Sequence, residues 1–312
     1  MRAANGGGRP EISAAPGNIP HALNGAEGRS PQFGAESAAR PLPLNAGMGV
    51  IAAIDLGPSS GRVLYHAAAF ARLLDRPLKI LHVTPDVSPD AYQHVLDFCL
   101  RQGPYEIDFD DPNVAQVVLR SGRVSEAIVR EAHKANAPLI VMGARGHGSI
   151  ARILLGSTSE AVLHSAKAPV LLVPPIDMNI VNLSDRTALT CGPVLAAVDL
   201  TDDCPEQLQM ASEMAKLSGE PLLLMTVAKA RLTDQQADVM LRQRGHGLAP
   251  VKPRATIVRR GNVVDEISHC AIAEGAGLVV MGLRSRPRCQ PGSIASAVLK
   301  TKRAFVLAVP GC

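Results

Sequence analysis

From residue 48 onward, short runs of Val, Ile, Leu and Met recur, bounded by Gly, Pro or Asp and separated by longer stretches whose apolar positions return at helical spacing. The runs predict strands near 49–55, 78–83, 115–120, 138–143 and 169–174, then near 193–199, 221–227, 255–259, 277–282 and 304–309. Runs such as "LIVMG" and "VLLVP" are apolar throughout rather than alternating, as expected of parallel strands covered on both faces. The pattern therefore predicts an α/β protein of Rossmann-like type, with helices on both faces of mainly parallel sheets.

The pattern is also written twice. "MGVIAAIDLGPSSGRVLYHAAAFARLLDRPLKILHVTP" from Met48 has a counterpart in "GPVLAAVDLTDDCPEQLQMASEMAKLSGEPLLLMTVAK" from Gly192. In each copy an apolar run ends in Asp, Asp55 or Asp199, and the next closes 28 residues later at Val83 or Val227. Gly122 and Gly143 are 21 apart, as are Gly261 and Gly282. Two tandem domains of five strands each are expected, at 48–175 and 192–312, with 176–191 as the linker. Residues 1–47 are rich in Gly, Ala, Pro and Ser and lack sustained periodicity, so they read as a disordered tail.

Composition narrows the function. With 32 basic against 28 acidic residues, five Phe, three Tyr and no Trp, the chain lacks the basic surplus and stacking residues of nucleic-acid binders. Six cysteines without CxxC or metal-ligand spacing predict reduced thiols, with neither a disulfide framework nor a zinc site. No apolar stretch approaches the roughly 20 residues of a membrane span, and no signal-peptide core is visible. A cytoplasmic protein with no membrane partner is expected. No Ser-His-Asp ordering, GxSxG elbow or HExxH helix is present, and no catalytic residue is assigned.

The chemistry concentrates in "GARGHGSIARILLGSTSE", residues 143–160, between an apolar strand and the start of a helix. Backbone N–H groups at a helix N-terminus are unpaired and carry partial positive charge, so an anion can dock there. Gly143 and Gly146 lack Cβ atoms, which permits close approach to an anion or a positive φ, and Ser157, Thr158 and Ser159 bring hydroxyl donors. Taken alone, such glycines fit a plain loop as well as a phosphate cradle. Neither the P-loop nor the dinucleotide fingerprint fits, since no Lys follows the last glycine and the first strand ends in "AAIDLGPSSG".

The spacing Gly143-x2-Gly146-x9-Gly156-Ser157 resembles the ATP-binding signature of universal stress proteins. The likeness extends to Asp55, to "ILHV" in the second strand, to Gly122 and to "APVLLVPP" in the last strand, and in weaker form to the second copy. This resemblance implies the adenine nucleotide alpha hydrolase-like variant of the Rossmann-like fold, with ATP as cofactor. It places Asp55 and Val83 at the ribose and adenine, Gly143, Gly146, Gly156, Ser157 and Ser159 at the phosphates, and Met142 and Thr158 beside them. Mg²⁺ would share the phosphate charge, with no protein carboxylate cage dedicated to it. His147 lies inside the same loop.

The second copy reads "MGLRSRPRCQPGSIASAVLK", in which Ser285 replaces Gly146 and six residues instead of nine precede Gly292-Ser293. Asp199, Val227, Gly282, Gly292 and Ser293 keep their places, but the cradle is shortened. The expected protein is a stress-response and signalling module. Its first domain binds ATP, and its second pairs with the first as a pseudo-dimer, with homodimerisation as a further partnership. Slow ATP hydrolysis or autophosphorylation, and a non-binding scaffold, are the alternatives.

Overall fold

A computed structural model describes residues 49–311 apart from 105–106, 112–113, 146–154, 176–177, 181–191, 203, 284–290 and 302–303, and for 291–293 the backbone alone. The tail, Gly146, His147, most of the linker and the Arg-rich loop lie outside the described residues.

The first half runs β1 (Val50–Ile54), α1 (Ser60–Leu73), β2 (Leu78–Val83), α2 (Pro89–Gln102), β3 (Ala115–Arg120), α3 (Val124–Lys134), β4 (Ile140–Gly143), α4 (Ser157–Ser165) and β5 (Val170–Val173). The second runs β6 (Val194–Ala197), α5 (Pro205–Ser218), β7 (Leu222–Val227), α6 (Asp234–Gly245), β8 (Ala255–Arg259), α7 (Val263–Ala273), β9 (Leu278–Gly282), α8 (Pro291–Lys300) and β10 (Phe305–Val309). Every expected strand is present, to within two residues at each end. Full burial explains this accuracy: β4, β5, β9 and β10 bury nearly every side chain, so their apolar runs have sharp ends. Local chemistry fixes several helix starts. Ser88 caps α2 by accepting from the Ala91 N–H, Thr233 and Gln236 form a capping box on α6, and Asn262 accepts from Val264 and Asp265 at α7.

The strands form one ten-stranded sheet in the order β3-β2-β1-β4-β5-β10-β9-β6-β7-β8. Each half has the same parallel order read outward from the middle, and the halves meet where β10 pairs antiparallel with β5, Val306 opposite Leu172 and Ala308 opposite Val170. The helices cover both faces. Alternating strand side chains supply two cores, one packed on α1, α2, α5 and α6, the other on α3, α4, α7 and α8. The seam strands are buried, and residues 43–312 form one compact unit. Among the described residues no helix is long and apolar enough to cross a membrane.

One expectation fails. Cys204 is disulfide-bonded, where a reduced thiol was expected. Spacing along the chain carried no sign of it, because the bridge is a through-space relation. Cys99 and Cys270 are free and buried, and burial pushes their thiols up to about 12 and about 11.

Candidate functional site

In each half the chain leaves its first strand toward one side of the sheet and later crosses to the other, which opens a crevice at the carboxyl ends of β1 and β4, and likewise of β6 and β9. Cavities occupy both places.

The first, of about 200 Å³, is lined by residues including Asp55, Ser59, Ser60, Val83, Met142, Gly143, Arg145, Thr158 and Ser159. It gathers Asp55, Val83, Met142, Gly143, Thr158 and Ser159 of the expected site, from four separate stretches of chain. Asp55 Oδ1 accepts from the Gly57 N–H and the Ser60 hydroxyl, both at 2.9 Å, which fixes the carboxylate at the start of α1. The Ser159 hydroxyl, 2% exposed, donates to the Gly143 carbonyl at 2.9 Å. It thereby pins the end of β4 to the first turn of α4. Its hydrogen is committed to the backbone, so Ser159 shapes the site where a free hydroxyl donor was expected.

The glycines are explained differently from one another. Gly143 does not have a positive φ; a Cβ there would meet the Arg145 carbonyl oxygen at 3.0 Å, so close approach excludes a side chain. Gly156, the N-cap of α4, has φ −67° and ψ 147°, so torsion does not require glycine. Its N–H donates to the Ala144 carbonyl at 2.9 Å, which ties the helix start back to the end of β4. The cap has no side-chain acceptor, and the first N–H groups of α4 have no partner within the helix. Gly122 and Gly261 take φ of 106° and 131° in the corresponding turns before α3 and α7, a region that favours glycine.

The sequence leaves Arg145, like His147, between a phosphate donor and an exposed loop residue, with the exposed reading preferred. Its Nη2 is buried without a hydrogen-bond partner among the described residues and belongs to a residue on the wall of the first cavity. A buried guanidinium nitrogen beside an uncapped helix N-terminus makes this wall electropositive.

The second cavity, of about 540 Å³, is lined by residues including Asp199, Cys204, Gln207, Val227, Gly282 and Ile294. Its greater size was not legible in the residue pattern. Asp199 Oδ1 accepts from the backbone and side chain of Thr201 at 2.8 and 2.7 Å, and Lys229 Nζ lies 3.9 Å away. Gly292 and Ser293 fall in the first turn of α8. Among the described residues no cluster of three or more His, Cys, Asp or Glu forms a metal site.

Universal stress protein A homolog 1 of Coxiella burnetii (strain RSA 493 / Nine Mile phase I) is 33% identical to this chain over 138 residues, 40% of this chain and 94% of its own length. The chain belongs to the universal stress protein family. Residues 48–174 match the description "Universal stress protein family". A universal stress protein of Mycolicibacterium smegmatis (strain ATCC 700084 / mc(2)155) is 29% identical over 141 residues, which is 40% of this chain but 47% of the relative. The crystal structure of a universal stress protein from Archaeoglobus fulgidus DSM 4304 superposes with a TM-score of 0.64 over 85% of this chain and 99% of its own, at 22% identity. That likeness is one of fold and extends across both halves of the sheet.

Proposed function

We propose that the first half binds ATP and that the protein acts as a nucleotide-responsive module of the stress response. The observation that carries this reading is Arg145: its Nη2 is buried and unpartnered on the wall that also holds the start of α4. A guanidinium in that position is costly until an anion arrives, and phosphate is a suitable partner for it. Asp55, held by Gly57 and Ser60, would accept from ribose hydroxyls, and Val83 and Met142 would border the base. Gly146, Gly156 and Ser157 would complete the phosphate contacts. Mg²⁺ would be held by the phosphates themselves.

In this reading 48–175 and 192–312 are two universal stress protein domains joined by 176–191, the second serving as pairing partner through β10, and two chains associate as a homodimer. Binding alone is assigned, since among the described residues no base or water-orienting group accompanies the cradle.

Isothermal titration with Mg-ATP tests it. Saturable binding to the native chain is expected, with loss in Gly143→Val, whose side chain would press on the backbone of Arg145. Circular dichroism establishes that the variant is folded. Unchanged titration in that variant, or no binding to the native chain, overturns the reading.

A further inference from the structure

The second cavity departs from the first in a consistent direction. Where α4 brings Thr158 and Ser159, α8 brings Ile294 and Ala295 at the corresponding positions. Among the described residues, two of its cations are matched by neighbours: Arg260 Nε donates to Asp234 Oδ1 at 2.6 Å, and Lys229 Nζ donates to Thr201 Oγ1 at 3.1 Å while standing 3.9 Å from Asp199. A polyphosphate would have to compete with these pairs. The volume of about 540 Å³ falls within the range of roughly 300–1,000 Å³ that small-molecule sites occupy.

Two buried polar groups on this wall have capacity left over. Gln207, 3% exposed, stands where the first half has Val63. Its Nε2 donates to the Ala197 and Val280 carbonyls at 2.8 and 3.0 Å, which engages both amide hydrogens and leaves Oε1 as an oriented acceptor. Thr226, 2% exposed, lines the same cavity, and its hydroxyl makes no hydrogen bond among the described residues. Set in a largely apolar wall, these two groups are the polar contacts a ligand in the cavity could use.

We infer that this cavity is a second ligand site, built for an uncharged, largely apolar small molecule that carries an N–H or O–H donor for Gln207 Oε1. Leu208, Met225, Ile267 and Met281 enclose the apolar body, and the compensated charges at the mouth select against polyanions. The site is independent of nucleotide binding in the first half.

The probe is N-phenyl-1-naphthylamine, uncharged with a single N–H and fluorescent in apolar surroundings, set against its sulfonated counterpart, 1-anilinonaphthalene-8-sulfonate. Saturable binding of the neutral probe to the full chain is expected, tighter than that of the sulfonate and undisplaced by excess ATP. Val263→Trp and Ala230→Trp, both at exposed positions on the cavity mouth, should each weaken it at least about tenfold by filling the space. Binding without saturation, equal affinity in both variants, preference for the sulfonate, or displacement by ATP would overturn the inference.

Discussion

The Nη2 of Arg145 and the ring of His66 are both buried basic groups, and their partners make their consequences opposite. Arg145 Nη2 has no partner, so replacing it should leave stability nearly unchanged and act on the ligand instead. Arg145→Met is expected to weaken ATP binding by about 10- to 100-fold, the value of one charge-assisted hydrogen bond, with little change in melting temperature. Nucleotide titration beside thermal denaturation separates the two effects. His66, wholly buried in α1, is by contrast fully engaged: Nδ1 contacts the Arg62 carbonyl at 2.7 Å and Nε2 accepts from the Ile180 N–H at 3.4 Å. The ring also packs on Phe305 of β10, with centroids 4.8 Å apart. Burial lowers its pKa from 6.5 to about 4, so the unfolded chain takes up the proton first. Stability attributable to His66 is therefore complete above pH 6.5 and is lost as pH falls toward 4, amounting to about 3 kcal/mol in all. Urea midpoints measured across that window should fall more steeply for the native chain than for His66→Phe. In the sequence Arg145 reads ambiguously and the role of His66 not at all. Asp55 and Gly143 are legible there, because repetition at fixed spacing exposed them, whereas the isolation of Arg145 and the burial of His66 depend on segments distant in the chain.

The decisive junction between elements is the one from β4 to α4. Ser159 hydroxyl to Gly143 carbonyl and Gly156 N–H to Ala144 carbonyl hold the strand end and the helix start together. Ser159→Ala should cost about 1 kcal/mol by leaving the part-buried Gly143 carbonyl without that donor, seen as a lower denaturation midpoint. It should also weaken ATP binding, since the helix start would no longer be fixed beside the cavity. The strands themselves were readable because continuous apolar runs of the right length leave few alternatives. What remained unread was the difference in cavity size. Side-chain size does not account for it, since Gln207 and Ile294 on the larger cavity are bulkier than Val63 and Thr158 on the smaller; an enclosed space appears only once the helices are packed.

For the whole molecule, repetition made the two five-stranded halves apparent in advance, and the seam is where they become one sheet. Leu171, Leu172, Val306 and Leu307 are buried across the β5–β10 pairing, so neither half presents a free central edge. Unfolding should accordingly be a single cooperative transition, and Leu172→Ala should shift it by about 2–5 kcal/mol without splitting it. Calorimetry with coincident far-UV dichroism checks this. At the same scale stands the claim that the two cavities differ in their ligands, one for nucleotide and one for an apolar molecule. Native mass spectrometry of the intact chain, equilibrated with Mg-ATP, counts the outcome directly: a single adenine nucleotide per chain is expected, and none or two would overturn the assignment.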